Sequence, residues 1–280
     1  RRMGPAEREH LRTVRGYHER TKHRPGRFAA SLGYLDWANQ PDPFRTFSGS
    51  DAIELPHPGV RQHPLYDDLF DGCAVASKCD AGFLGRLFLH SLALSAWKRA
   101  AGTPPWSLRI NPSSGDLHPT EGYLLTGPVP GLIDDPGVFH YAPYRHRLER
   151  RSRMSLRQWE QLTEKLPRPC LLVALTSIYW REAWKYGERA FRYCHHDVGH
   201  AIGTLAFAAR TLGWEAYIVE GIADEDLDRL LGTHQQRGVE AEHADCLLLL
   251  HPADVGPRAP TVESTSSNWH SRLPDLSFVG

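Results

Sequence analysis

One long stretch of the chain, residues 188–213, places an apolar side chain at every third or fourth position. These positions are Phe191, Cys194, Val198, Ile202, Leu205, Ala209 and Leu212. The spacing matches a helical turn of about 3.6 residues, and Gly213 follows where a helix end favours glycine. Much of the remaining surface is glycine and alanine, which lets other backbones approach closely. We therefore predict a helix that is buried on most sides, at the centre of the fold or at a subunit interface.

Shorter apolar runs predict strands and further helices on both sides of this helix. Residues 170–177 are almost continuously apolar, which is typical of a buried strand. Residues 138–150 alternate aromatic and polar side chains around Ala142-Pro143, which predicts two paired strands. The other predicted strands are residues 121–126, 215–221 and 245–252, and the other predicted helices are residues 83–100, 155–166 and 224–232. Because strands and helices do not alternate in clean βαβ units, we predict an α+β fold.

The first part of the chain has a different composition from the rest. Residues 1–64 are rich in arginine, proline and histidine and show little periodicity. They also contain spaced aromatic residues, namely Trp37, Phe44 and Phe47. Disordered segments usually carry fewer aromatic residues. We therefore predict an extended N-terminal arm with aromatic anchors, a main domain at 65–252 and a Pro- and Ser-rich tail at 253–280.

Composition narrows the class of protein without identifying it. The chain has 280 residues, of which 41% are hydrophobic and 24% charged, as in globular proteins. Its 33 basic and 33 acidic side chains give no general attraction to nucleic acid or to an anionic membrane. Five cysteines without a CxxC pair do not indicate a disulfide framework, so we expect a cytoplasmic protein. The N-terminal stretch lacks a signal-peptide core, and no apolar run reaches the roughly 18–20 residues of a membrane-spanning helix.

Three histidines on the predicted long helix are candidate metal ligands. They are His195, His196 and His200, and the last two are one helical turn apart, a spacing that can hold a metal. A HExxH motif needs glutamate directly after the first histidine, but Asp197 stands there. Neither a cysteine pair nor an acidic cluster supplies a third ligand. We interpret the histidines as hydrogen-bonded polar positions and keep a zinc-dependent hydrolase as an alternative function.

Nucleophilic catalysis has weaker support in the sequence. His118 follows Ser113 and Ser114 closely enough to suggest acyl transfer, but the Gly-x-Ser-x-Gly elbow is absent. Cys194 lies on the apolar stripe of the long helix, where a cysteine is usually inert core. Neither GxxxxGK[ST] nor GxGxxG occurs, so the phosphate-binding loops with these signatures are not indicated.

Two motifs together resemble a known family. Residues 109–125, RINPSSGDLHPTEGYLL, and residues 186–214, YGERAFRYCHHDVGHAIGTLAFAARTLGW, resemble motifs of nitroreductase-type flavoproteins. The likeness is to the SagB-type branch, the azoline dehydrogenases that oxidise thiazoline and oxazoline rings in ribosomal peptides. Residues 216–232 and 244–252 resemble the last core strands, so the resemblance spans roughly residues 105–252, over half the chain. It implies a mixed, mostly antiparallel sheet flanked by helices with a central buried helix, flavin mononucleotide (FMN) as cofactor, and a dimer or pseudo-dimer.

The resemblance also implies particular cofactor-binding residues. In the family the Pro-Ser-Ser turn lies beside the pyrimidine side of FMN, and the matching residues here are Ser113, Ser114, Gly115, Asp116 and His118. Gly115 would let the backbone approach a flat ring closely, and the turn amides with the Ser114 hydroxyl would donate to the flavin carbonyls. Asp116 stands where many relatives have asparagine or a small residue. Residues 219–221 resemble the segment near flavin N5, so the N–H of Glu220 or Gly221 is expected to meet N5.

The chain departs from the family where the flavin phosphate would bind. Members carry an RRSxR segment, but the corresponding residues 65–87 contain no arginine pair. A phosphate needs cationic or N–H donors, preferably an arginine fork. Residues 270–274, HSRLP, resemble the KSRLP segment of the family, which makes Arg272 the candidate phosphate ligand, with a solvated tail residue as the alternative. The Lys-Tyr pair of the branch is not evident, although Lys185-Tyr186 precedes the long helix and can equally be a helix-entry pair.

Two functions therefore stay open alongside the zinc alternative. The first is an FMN-dependent oxidoreductase, with FMN held between two units and an azoline peptide, a nitro compound or a quinone as substrate. The second is a non-catalytic scaffold or peptide-binding partner of the same fold, which the missing arginine pair favours. The N-terminal arm resembles that of tandem proteins with two such units, so we expect either one half of such a protein or a single unit that pairs with another subunit. The expected partners are a small-molecule or peptide substrate and a second nitroreductase-like unit.

Overall fold

The computed structural model describes residues 4–59, 64–71, 75–254 and 269–279. Its helices are α1 (Pro5–Thr21), α2 (Asp68–Asp71), α3 (Ala81–Leu89), α4 (Leu156–Leu162), α5 (Tyr179–Tyr186), α6 (Ala190–Thr211) and α7 (Asp224–Leu231). Its strands are β1 (Ala52–Glu54), β2 (Leu94–Lys98), β3 (Trp106–Arg109), β4 (Thr120–Thr126), β5 (Gly137–Ala142), β6 (Arg147–Arg153), β7 (Leu171–Ser177), β8 (Trp214–Ile218) and β9 (His243–Pro252). None of the helices in these ranges is both long enough and apolar enough to cross a bilayer.

The described strands form one seven-stranded sheet in the order β1-β6-β5-β4-β7-β9-β8, and β2 with β3 forms a separate hairpin. At the centre of the sheet, Tyr123 of β4 lies opposite Ala174 of β7, and Ala174 lies opposite Leu247 of β9. Every pairing among the described strands is antiparallel. The prediction of an α+β fold with a mostly antiparallel sheet is confirmed, with an antiparallel rather than a mixed sheet.

The sheet separates two apolar layers. Alternate residues of a strand point to opposite faces, so Val173 of β7 packs with α3 and α6 while Leu172 packs with α4 and α7. Every residue of β7 is buried, as predicted from its apolar run. The long helix α6 turns one side to the sheet, where Leu205 and Ala209 are fully buried. The predicted central helix is confirmed, and Gly213 ends it with a positive φ of 72°.

The prediction of a helix over residues 83–100 is wrong in its second half. Helix α3 ends at Leu89, and residues 94–98 form β2, which pairs with β3. Between them the amides of Ser91, Leu92 and Ala93 all donate to the Phe88 carbonyl, which turns the chain. The apolar spacing alone could not show this, because the hydrogen bonds of β2 come from residues 106–109, later in the chain.

The N-terminal region also differs from the predicted extended arm. Residues 5–21 form α1, where Glu7 reaches back to the amide of Gly4 at 2.6 Å. The helix docks on the chain ahead of α6, because the Tyr17 hydroxyl donates to the Glu188 carbonyl at 2.9 Å. Residues 22–51 are largely irregular and carry the expected aromatic anchors. Trp37 lies against Trp184, Phe44 against Tyr144, and Phe47 against His140, with ring centroids 5.0–5.4 Å apart.

The division into arm, domain and tail stays a prediction. Residues 255–268 of the predicted tail lie outside the described residues. The part that follows them, residues 269–279, is packed on the protein, because Trp269 is buried in the layer that contains α4 and α7. The end of the chain therefore contributes to the core of one layer.

Candidate functional site

The Pro-Ser-Ser-Gly turn connects β3 to β4 and lies at the end of the sheet where β4 begins. Three of its residues have positive φ, namely Gly115 at 71°, Asp116 at 58° and His118 at 49°. Glycine adopts this conformation freely, whereas aspartate and histidine adopt it at some cost. Such a backbone needs support from its surroundings. The structure shows what provides that support.

Asp197 of α6 holds the turn in place through hydrogen bonds to Ser114. Its carboxylate accepts hydrogen bonds from the Ser114 amide at 3.1 Å and from the Ser114 hydroxyl at 3.3 Å. Ser113 contributes inside the turn, where its hydroxyl accepts from the His118 amide at 2.8 Å. Both donors of Ser114 are therefore directed at α6, and its predicted contact with a flavin carbonyl stays a prediction.

Lys185 and Tyr186 at the end of α5 lie directly over Gly115. A Cβ atom added to Gly115 would be 2.7 Å from the Lys185 Nζ atom and 2.7 Å from the Tyr186 hydroxyl. The missing side chain at Gly115 therefore leaves room for the Lys185 amino group and the Tyr186 hydroxyl, and the approach of a flavin ring to this turn stays a prediction. Gly115 itself is exposed, while Lys185 and Tyr186 are half-buried. The result is a solvent-accessible site that carries two groups able to take part in proton transfer.

The side chain of His118 is buried behind the turn, and its Nε2 atom lies 3.3 Å from the Ser107 carbonyl. Burial and the nearby Arg109 lower its pKa to about 3, so the ring is neutral. The structure therefore places His118 as a support of the turn, and its contact with a cofactor stays a prediction. Asp116 stays half-buried at the turn, and its charge is one of those that act on Tyr186.

A buried charge network fixes the start of α5 to the sheet. Arg181 donates to the Glu121 carboxylate and to the His118 carbonyl, both at 2.6 Å. His140 lies 3.0 Å from Glu121 and 3.4 Å from Glu149. Burial alone would raise the pKa of Glu121, but Arg181 and His140 lower it to about 2. Because α5 begins at this network, the positions of Lys185 and Tyr186 one turn later are determined by it.

Glu220 and Gly221 are exposed and follow β8. They lie at the same end of the strands as the turn that precedes β4. The amide of Val219 donates to Leu247 of β9, and β8 is three strand positions from β4. With strands about 4.8 Å apart, this is a separation of roughly 14 Å across the sheet. The segment and the Pro-Ser-Ser turn therefore lie at the same end of the sheet, on strands that do not pair with each other.

Arg272 lies elsewhere in the fold. It is buried, and its guanidinium carbon is 4.3 Å from the centre of the Trp269 ring. Trp269 belongs to the layer of α4 and α7, on the opposite face of the sheet from α6. Burial lowers the pKa of Arg272. Arg272 is therefore neither a solvated tail residue nor a neighbour of the turn.

The three histidines of α6 do not converge. The Nδ1 atom of His195 lies 2.8 Å from the Phe191 carbonyl, and that of His200 lies 3.2 Å from the Pro112 carbonyl. In the ranges that the structure covers, no group of three His, Cys, Asp or Glu residues is arranged to hold a metal ion. Cys194 is fully buried, and burial raises its pKa, so it stays a thiol. These contacts give no support to the zinc alternative or to a cysteine nucleophile.

Two features of this site have little signal in the sequence. Lys185-Tyr186 can be a catalytic pair or a helix-entry pair by sequence, and its position before α6 is the one signal for a catalytic role. Asp197 stands out in the sequence only as a departure from a zinc motif, although it anchors the turn. Both features depend on where α5 and α6 lie relative to β4.

Comparison with known proteins agrees with this architecture. The model of the nitroreductase family matches residues 137–241. A protein of Methanocaldococcus jannaschii that is named as a nitroreductase is 26% identical over 187 residues, which cover 65% of this chain and 90% of that protein. Among solved structures, a protein described as a nitroreductase from Anabaena variabilis matches with a TM-score of 0.64 and 27% identity. That match covers 85% of this chain but 45% of the other, so the chain spans less than half the length of the Anabaena protein.

A third match concerns the fold alone. The structure of the E. coli microcin synthetase McbBCD complex with truncated pro-MccB17 bound contains a chain that matches with a TM-score of 0.51 and 16% identity. The match covers 92% of this chain and 85% of that one. Together, the antiparallel sheet, the central helix and these matches define a nitroreductase-type fold. The chain is therefore similar to nitroreductases, and the model of that family matches residues 137–241.

Proposed function

We propose that this protein is an FMN-dependent oxidoreductase that uses Lys185 as a base and Tyr186 as a hydrogen-bond donor at the cofactor edge. The observation that supports this most directly is the approach of both groups to Gly115, at 2.7 Å from the position of an added Cβ atom. Lys185 Nζ lies 5.5 Å from the centre of the Tyr186 ring, and Tyr186 packs on Tyr193 with ring centroids 4.4 Å apart, so both groups are held over the turn. They are the residue types that a general acid–base mechanism requires.

The residues around the turn fit one edge of a flavin and not the whole cofactor. Lys185, Tyr186 and the exposed backbone at Gly115 would hold that edge. The donors of Ser114 are engaged by Asp197, and Arg272 lies across the sheet, so neither of them completes the site within one chain. The segment at Glu220 and Gly221 is also separate from the turn. The remaining contacts must therefore come from a second unit.

The exposed side of α6 is the surface that we assign to this second unit. Gly199 and Gly203 lie one turn apart, and a Cβ atom added to either would meet nothing within 4 Å. Phe207, one turn further, is 52% exposed. A second copy of the chain, or the other half of a longer protein, can pack closely on such a face. The length of the Anabaena protein, about twice the matched part, supports this arrangement.

Sedimentation velocity tests the second unit. Phe207→Glu places a charge on the α6 face and is expected to convert a dimer to a monomer. Phe28→Glu is the matched control, because Phe28 is 81% exposed and lies on the N-terminal arm. Wild-type protein that sediments as a monomer at all concentrations would remove the homodimer. It would leave the tandem arrangement as the remaining source of the missing contacts.

The two side chains have distinguishable roles. Burial and the carboxylates of Glu182, Asp197 and Asp116 raise the pKa of Tyr186 to about 12, with Tyr193 adding to the effect. Tyr186 therefore keeps its proton at neutral pH and acts as a hydrogen-bond donor that orients the substrate. Lys185 has the nitrogen that can accept a proton when the amine is neutral. We assign Lys185 as the base and Tyr186 as the orienting donor.

The substrate class that best uses this pair is an azoline ring in a peptide. When an azoline becomes an azole, one proton and one hydride leave neighbouring ring carbons, and the bond between them becomes double. Lys185 takes the proton and becomes an ammonium. FMN, when bound, supplies the hydride acceptor. Reduction of a nitro compound or a quinone would not need a base for a carbon-bound proton.

The test begins with an absorbance spectrum of the protein as isolated, followed by FMN titration monitored by fluorescence quenching. A thiazoline-containing peptide is then assayed by mass spectrometry for the loss of two hydrogens. Lys185→Met and Tyr186→Phe should each lower turnover on the order of 100-fold while FMN still binds. Lys165→Met is the control, because Lys165 is an exposed lysine after α4. Colourless protein that does not bind FMN would overturn the proposal and favour the scaffold, which the missing arginine pair already suggests.

A further inference from the structure

Glu182 is a buried carboxyl group that the proposed reaction does not use. It lies on α5 and is 0% exposed, and neither of its carboxyl oxygens has a hydrogen-bond partner in the described part of the chain. Residues three positions apart on a helix share one face, so Glu182 lies on the same side of α5 as Lys185. The nearest acidic group on the facing helix is Asp197.

The two carboxyl groups have opposite surroundings. Asp197 accepts hydrogen bonds from the amide and the hydroxyl of Ser114, which stabilise its charge. Glu182 has no such donors, and an ionised carboxylate buried without donors is strongly destabilised. Two carboxylates that face each other also disfavour double ionisation, so the pair titrates as a unit. Burial raises the pKa of Asp197 as well, but the hydrogen bonds from Ser114 oppose that rise, whereas no donor opposes it at Glu182. The proton of the pair is therefore assigned to Glu182 and the charge to Asp197.

We propose that Glu182 is a positioning residue that stays protonated at neutral pH, so that it adds no negative charge beside Lys185. The inference rests on the proposed role of Lys185 as a base. A second anion beside Lys185 would stabilise its ammonium form and remove the base. A neutral Glu182 fills the same buried space without that effect.

The other titratable groups at this position agree with the assignment. Burial and Asp197 raise the pKa of Glu182 to about 9, and Lys185 opposes them. Tyr186 on α5 and Cys194 on α6 also interact with Glu182, and burial holds both in their neutral forms. Two more acids act on these two neighbours. Asp116 of the turn acts on Tyr186, and Asp245 of β9 acts on Cys194. Within the described residues, Lys185 is the one cation that acts directly on Glu182.

This arrangement predicts a specific pH profile. As pH rises through about 9, Glu182 ionises and places a negative charge on the side of α5 that carries Lys185. Glu182→Gln keeps the neutral shape, so its turnover at neutral pH should remain within about threefold of the wild type. Above pH 9, turnover of the wild type should rise less steeply with pH than turnover of Glu182→Gln, because a nearby negative charge opposes the loss of a proton from the base.

Infrared spectroscopy tests the protonation without any turnover. The wild-type protein at neutral pH should show the carbonyl stretch of a buried protonated carboxyl group, and this band should vanish above the pKa of Glu182. The same band should be missing in Glu182→Gln and present in Glu160→Gln, whose residue is exposed on α4. If Glu182→Gln does not fold, the titration of the wild-type band decides alone.

The two proposals fail in different ways. A protein that does not oxidise azolines but shows the infrared band removes the proposed function and the positioning role, and leaves only the protonated state of Glu182. An active enzyme without the band, or with an unchanged pH profile in Glu182→Gln, removes only the Glu182 assignment. If the rise of turnover with pH were shifted by about one pH unit in Glu182→Gln, Glu182 would be ionised in the native protein. That result would also overturn the Glu182 assignment.

Discussion

Asp197 accepts two hydrogen bonds from Ser114, a residue 83 positions earlier in the chain, one from its amide at 3.1 Å and one from its hydroxyl at 3.3 Å. This pair joins the turn before β4 to the middle of α6. Because the turn is held in this way, its exposed glycine lies beneath the last two residues of α5. The site is therefore a junction of three segments, each too short to form it alone.

Removing the acceptor should destabilise this junction. Asp197→Ala leaves the Ser114 amide and hydroxyl without their partner, and we expect a loss of about 1–3 kcal/mol in the free energy of unfolding. Asp197→Asn retains one acceptor oxygen and should lose less. Urea denaturation measures both variants, with the exposed Asp134→Ala as the control. An Asp197→Ala variant as stable as this control would show that the pair contributes nothing.

Two glycines with the same backbone conformation separate strain from crowding. Gly115 and Gly102 have φ values of 71° and 76°, but only at Gly115 would an added Cβ atom meet other atoms within 4 Å. Alanine at either position should lose about 1–2 kcal/mol for the left-handed backbone. Gly115→Ala should lose turnover as well, because it displaces Lys185 and Tyr186. Equal activity in the two variants would contradict the placement of the pair.

His140 should make stability depend on pH above neutrality. Burial alone would lower its pKa, but its bonds to Glu121 and Glu149 raise it above the usual value. The folded protein then keeps a proton that the unfolded chain releases above about pH 6.5. The contribution is fully present below that pH and is lost as pH rises through the folded pKa.

The measurement for His140 is a series of urea unfolding curves from acid to mildly alkaline pH. The difference between the wild type and His140→Gln should shrink with rising pH, by at most about 1.4 kcal/mol per pH unit. His10→Gln, an exposed histidine on α1, is the control and should run parallel to the wild type. Parallel curves for His140→Gln would show that the ring is neutral in the folded state.

The sequence by itself determined the elements whose signal is local. The period of α6, the apolar run of β7 and the alternation in β5 and β6 depend on neighbouring residues, and all three predictions are confirmed. Local pattern failed where a distant partner decides the structure. Residues 94–98 have helical spacing, yet they pair with β3. Helix α1 is not evident from local pattern, because its support comes from Glu188 and its surroundings, far along the chain.

The site divides in the same way. The motifs at residues 109–125 and 186–214 together located the turn and the resemblance to nitroreductases from sequence alone. Only the tertiary structure decided that His118 points inward, that Arg272 stacks on Trp269 across the sheet, and that Glu182 is buried without donors. The approach of Lys185 and Tyr186 to Gly115 was likewise decided by the strand order and by the packing of α5 on α6. The physical reason is that periodicity reports which face of an element is apolar, whereas a catalytic contact requires two distant elements to meet at one point.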